Sequence, residues 1–98
     1  MIDDKINLKR ILMALRWEIL NEGILLTPDR RFLKNECFLP QISSRVKIFY
    51  KDDNVCLKTY NKTYEIPVSF EDGKIAENII DIIVAILQHK GADSKIKY

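Results

Sequence analysis

A chain of 98 residues is one domain's worth of sequence, able to bury roughly 60–70% of the surface its unfolded form exposes. With 47% hydrophobic and 31% charged residues, and only three glycines and three prolines, it is not a disordered or collagen-like chain. A net charge of +2 does not by itself indicate nucleic acid, but the distribution is uneven. Residues 1–44 carry seven basic and six acidic side chains, 45–62 five and two, and 63–98 four and six.

The start, MIDDKINLKR, has no uninterrupted apolar segment and reads as a cytoplasmic beginning. Asp3 or Asp4 caps a helix running over about 4–22, with Gly23 as its left-handed stop. At helical spacing Leu8, Ile11, Leu12, Leu15 and Ile19 form one apolar stripe, and Ile6, Met13, Trp17 and Leu20 form another. A helix needs one stripe to join a core; two imply that it is sandwiched or meets a partner. Met13, Trp17 and Leu20 are the residues such a seam presents, and tryptophan and methionine are common at interface centres.

Residues 24–44 read as irregular. Thr27, Pro28 and Asp29 resemble a cap and first turn, giving a short helix over 28–34, and Glu36–Leu39 is a candidate short strand. Pro40 and Ser43-Ser44 mark a loop.

Three strands follow, over about 45–51, 54–60 and 63–68, with tight turns at Asp52-Asp53 and Asn61-Lys62. The turns imply pairing of Val46 with Thr59, Ile48 with Leu57 and Tyr50 with Val55, then of Thr59 with Tyr64, Leu57 with Ile66 and Val55 with Val68, all on one apolar face. Pro67 cannot donate to a ladder, which makes its strand an edge; the strand at 45–51 is then the other edge, open unless residues 36–39 or another chain cover it. A last helix spans about 73–90, stopped by Gly91, with a frayed tail at 92–98. Its longest apolar run, Ile82–Leu87, is far short of the ~20 residues that cross a bilayer. The predicted fold is α+β: helix, three-stranded antiparallel meander, helix, with both helices on one face of the sheet.

The stretch NKTYEIPVSFEDGKIAENIIDIIVAIL is similar in layout to the last strand and helix of the double-stranded-RNA-binding domain, whose order of elements is the same. That resemblance implies a phosphate grip at the start of the second helix and a groove-entering turn. The matching positions here are FEDGKIAEN, with Glu71, Asp72 and Glu77 around Lys74, and the turn Asp52-Asp53.

Nothing in the chain converges on catalysis. His89 is the one histidine and sits where a helix dipole favours it. Cys37 and Cys56 lack metal-ligand spacing and read as reduced thiols, and the carboxylate pairs fall at turns and caps. The glycines punctuate helices and leave none for a phosphate cradle. Neither cofactor, metal nor small-molecule substrate is expected.

Two binding surfaces remain. The outer sheet face is expected to show Arg45, Tyr60 and Thr63 in one row, Lys47, Lys58 and Glu65 in the next, and Phe49, Cys56 and Pro67 in the last. Arg45, Lys47, Phe49, Lys58 and Tyr60 could hold single-stranded or RNA ligands by charge and stacking, although Glu65 opposite Lys58 would offset part of the charge. The leading expectation is a non-catalytic interaction module that binds a protein, itself first of all, through Met13, Trp17, Leu20 and Phe49 or through the edge of the strand at 45–51.

Overall fold

A computed structural model describes residues 4–29, 36–40, 42 and 44–96, the side chains of 4–6 and 89–96 excepted. Its elements are α1 (Asp4–Ala14), α2 (Arg16–Asn21), β1 (Ile24–Thr27), β2 (Glu36–Phe38), β3 (Val46–Lys51), β4 (Asn54–Lys58), β5 (Thr63–Pro67), β6 (Phe70–Glu71), β7 (Lys74–Ile75) and α3 (Glu77–Ile96).

The expected helix over 4–22 is two helices that break at Leu15. The Leu15 amide donates to both Ile11 O and Leu12 O at 3.1 Å, the shared bonding of a tightened 3₁₀-type turn. The break sends the halves to different neighbours: α1 packs on α3, and α2 packs on β3 and β7. Arg16 fixes the second contact by donating from Nη1 to Ile75 O at 2.8 Å. Gly23 ends α2 as expected, with φ of 77° and its amide 2.8 Å from Glu18 O.

The sheet is five-stranded and mixed, in the order β2-β1-β3-β4-β5, not the three-stranded antiparallel meander expected. The meander exists as β3-β4-β5, but β1 pairs antiparallel with β3, and β2 pairs parallel with β1. The physical reason is in ILLT: Ile24 and Leu26 enter the core while the backbone satisfies the otherwise open side of β3. That side is therefore no edge. The candidate strand at Glu36–Leu39 forms as β2, with Leu39 N–H donating to Thr27 O at 2.8 Å, and lies one strand further out. Of the short helix expected at 28–34, residues 30–34 lie outside the described residues.

The first hairpin pairs as expected, Ile48 with Leu57 and Tyr50 with Val55. Asp52 and Asp53 take φ of 52° and 64°, the positive pair that a two-residue hairpin turn of the strand's own twist requires. The second hairpin is shifted by two residues. Leu57 faces Tyr64, Val55 faces Ile66 and Cys56 faces Glu65. Its turn is Tyr60-Asn61, closed by Thr59 N–H donating to Lys62 O at 2.8 Å, one residue earlier than expected. Moving the turn by one residue changes every partner by two positions, so each side chain keeps its face.

Residues 73–75, read as the start of the last helix, belong instead to the hairpin β6-β7, which turns at Asp72 and Gly73 with φ of 52° and 76°. The helix α3 begins at Glu77 and continues through Gly91 to Ile96, so it passes both the expected stop and most of the expected tail. Its β-branched composition favours a strand, but Ile79, Ile80, Ile83, Val84 and Leu87 recur at helical spacing and all are buried. At about 1.5–3 kcal/mol for each aliphatic side chain buried, packing outweighs intrinsic preference. These residues share one core with Leu8, Leu12 and Ile19 and with the alternate strand positions Ile24, Leu26, Val46, Ile48, Val55, Leu57 and Ile66.

The resemblance to the double-stranded-RNA-binding domain stops at the meander. β1 and β2 intervene after the first helical segment and β6-β7 before the last helix, and Lys74 sits in β7 rather than in a helix start.

Candidate functional site

The second apolar stripe of the first helical segment divides. Met13 and Leu20 are half-buried and pack against the core, whereas Trp17 is 61% exposed. The side chain of Ile6 lies outside the described residues. Spacings of four and three residues, with helical bonding continued across the break by Ile19 N–H to Leu15 O at 3.0 Å, keep Met13, Trp17 and Leu20 on one side. The indole body is thus presented to solvent between two partly covered apolar neighbours. Asn21 Nδ2 donates to Trp17 O at 2.8 Å, which steadies the backbone beneath it.

Phe49 belongs to a different surface. Strand alternation places it on the sheet face opposite the core, with Leu25, Lys47, Cys56, Lys58, Thr63 and Glu65. The observed register makes the rows of this face Glu36-Leu25-Lys47-Lys58-Thr63 and Phe49-Cys56-Glu65. The expected row of Lys47, Lys58 and Glu65 is therefore corrected: Thr63, not Glu65, lies across from Lys58. Two ammonium groups project from directly opposed positions with an uncharged neighbour on each side. The Lys47 ammonium lies 5.4 Å from the Phe49 ring centroid, a cation–π distance.

Tyr60 occupies the second hairpin turn and is 83% exposed. Thr59 holds that turn from inside: its hydroxyl accepts from Lys62 N–H at 3.1 Å and has Lys62 O at 3.0 Å and Asn61 Oδ1 at 3.1 Å as acceptors for its own proton. Sequence reasoning missed this brace, although a threonine at the mouth of a turn rich in Tyr, Asn and Lys is its signal. Arg45 is exposed, but its Nη2 is paired with Asp29 Oδ2 at 3.0 Å, so its charge is already partly answered. The five residues expected to hold nucleic acid thus resolve into a central lysine pair, Phe49 to one side of it along the strands, Tyr60 in the turn past it, and an arginine engaged elsewhere.

Both cysteines are free. Burial pushes the Cys37 thiol up, and at Cys56 burial does so first, with the Glu65 carboxylate adding to it and Lys51 opposing it; neither has the lowered pKa of a nucleophile. The two belong to opposite faces of the sheet. Among the described residues no group of three His, Cys, Asp or Glu could hold a metal ion, and no helix is long and apolar enough to cross a membrane. The expectation for His89 concerns a side chain outside the described residues. An open groove of about 510 Å³ runs beside α1, lined by Asn7, Arg10, Ile11, Ala14, Phe38, Leu39 and Pro40. Its polar groups are an amide and a guanidinium, which supply neither a general base nor a nucleophile.

These features define a small α+β domain with an exposed tryptophan on a helix and a sheet face bearing opposed lysines. Compared with known proteins, the chain matches no family model, no curated protein and no solved structure.

Proposed function

We propose that this protein is a small non-catalytic interaction module that binds another protein, with a second copy of itself as the partner, through the helical face carrying Met13, Trp17 and Leu20. The observation that supports the reading is the 61% exposure of Trp17 beside two half-buried apolar residues. A tryptophan left in water forfeits a large transfer free energy that a partner's pocket recovers, and truncation of such residues dominates the energetics of many interfaces. The seam on α1 and α2 replaces the edge of β3 as the route of association, because β1 already occupies that edge. Phe49 belongs to the sheet face and takes no part in this contact. Two thiols with raised pKa values suit a protein that works reduced, as in the cytoplasm.

Light scattering across a dilution series tests the reading. A dimer that dissociates when Trp17→Ala and Met13→Ala are combined supports it. Trp17 is the only tryptophan, so its emission reports the same event: blue-shifted when concentrated, red-shifted when dilute. A monomer at every concentration, with invariant emission, removes self-association.

A further inference from the structure

The opposed lysines raise a separate question, because the positions directly beside them in their row, Leu25 and Thr63, carry no charge. Lys47 and Lys58 are direct cross-strand partners on β3 and β4, both exposed, and like charges so placed cost stability unless an anion lies between them. One row away in one direction is Phe49, opposite Cys56; in the other direction β4 ends at Lys58 and the chain reaches Tyr60 in the exposed hairpin turn. At about 3.3 Å per residue the Phe49–Cys56 row lies about 7 Å along the strands from the lysine row, and the turn with Tyr60 lies past the lysines at the end of β4. Along the hairpin the order is ring, two cations, then the turn that carries the second ring.

We infer that this sheet face binds single-stranded nucleic acid, with Lys47 and Lys58 holding phosphate oxygens and the rings of Phe49 and Tyr60 stacking on bases to either side. Each part of the arrangement answers one part of that ligand. Phosphates relieve the repulsion between the ammonium groups, and releasing condensed counterions drives the association. Unpaired bases offer faces to the two rings, which a duplex with its bases stacked inside does not. The Lys47 ammonium now over Phe49 moves to phosphate as a base takes its place on the ring. A protein partner fits this face less well, since lysine is depleted at protein interface cores. The face is not uniformly basic: Glu36 ends the lysine row beyond Leu25, Glu65 stands across from Cys56, diagonal to Lys58, and Asp29 holds Arg45. The strand is therefore confined to the path between Phe49 and Tyr60. This surface is distinct from the Trp17 seam, and the inference does not rest on self-association.

The test is fluorescence anisotropy of the full chain with labelled oligothymidylate and oligouridylate over a range of salt. Affinity should fall as salt rises, and Lys47→Gln combined with Lys58→Gln should reduce the slope of log affinity against log salt by about 1.4, from about 0.7 for each phosphate contact on a single strand. Tyr60→Ala, at an exposed turn position, should weaken binding roughly tenfold without changing the slope. Trp17→Ala should leave binding unchanged, which separates this outcome from the fate of the dimer. No binding at the lowest salt, equal binding of a duplex or of heparin, or full affinity in the double lysine variant with its circular dichroism intact would each overturn the inference.

Discussion

Gly23 and Phe49 meet where the chain leaves α2 and enters β1 alongside β3, and the contact leaves no room for a side chain. A Cβ on Gly23 would lie 3.0 Å from the Phe49 Cβ and 3.1 Å from the Ile48 carbonyl oxygen, on a residue with φ of 77°. Gly73 shares the backbone conformation, with φ of 76°, but an added Cβ there meets nothing within 4 Å. Gly73→Ala should therefore cost only the left-handed backbone penalty of about 1–2 kcal/mol, whereas Gly23→Ala adds a backbone clash and should cost at least about 1 kcal/mol more. Shortening Phe49 to alanine should not rescue Gly23→Ala, because alanine keeps the offending Cβ. Urea denaturation of the four variants measures this, and equal losses at the two glycines would refute the close approach.

Thr59→Val removes the hydroxyl that braces the second hairpin while keeping its shape. The change strands the Lys62 amide and frees the turn, and should cost about 1–2 kcal/mol in chemical denaturation. It should also raise amide exchange at Tyr60 to Thr63, with β3 unaffected. If exchange at those amides stays slow, another group holds the turn.

That brace marks where sequence reasoning reached its limit. The face of every meander residue follows from alternation, and the first turn follows from Asp52-Asp53, since aspartate tolerates positive φ. The second turn lies one residue earlier than Asn61-Lys62 because Thr59 supplies a side-chain bond that periodicity does not register. The consequence for the candidate site is large: Glu65 moves away from Lys58, and the lysine pair stands without its expected counter-charge. Likewise Ile24–Thr27 is four residues long, too short to declare itself a strand, and only its tertiary pairing with β3 makes it one. The exposure of Trp17 was legible as a second stripe. That Met13 and Leu20 would be half-covered depended on the break at Leu15, for which the sequence carries no proline or glycine signal.

Residues two apart on α3 test the helical reading of an isoleucine-rich stretch. Ile80 is fully buried and Ile82 is 41% exposed, an arrangement that a strand, with its period of two, would put on one face. Ile80→Ala should cost about 2–5 kcal/mol, and Ile82→Ala should fall within about 0.5 kcal/mol of the parent. Thermal melts suffice, and comparable losses at both positions would contradict the helix phase.

Alkaline pH should destabilise the protein through two exposed contacts. The Lys9 ammonium donates to Glu77 at 2.7 Å and lies 2.9 Å from Asp81, and these bonds, Glu77's first, hold its pKa above the ordinary 10.5. The Tyr50 hydroxyl donates to Asp53 Oδ1 at 3.0 Å, which together with desolvation holds it above the ordinary 10.0. In both cases folding favours the protonated form, so the contribution is complete below the unfolded pKa and disappears as pH rises through the folded one. The window therefore opens near pH 10 and extends upward. Cys37 and Cys56, also raised above 9.0, pull the same way from slightly lower pH, so the informative quantity is a difference between variants. Lys9→Met with Tyr50→Phe should flatten the fall in stability above pH 10 while leaving the portion due to the thiols. Lys9 ties α1 to Glu77 and Asp81 of α3, so its loss should also loosen α1 first, seen as faster exchange of α1 amides than of β4 amides at high pH. Parallel stability curves for the parent and the double variant would show that these bonds do not persist in solution.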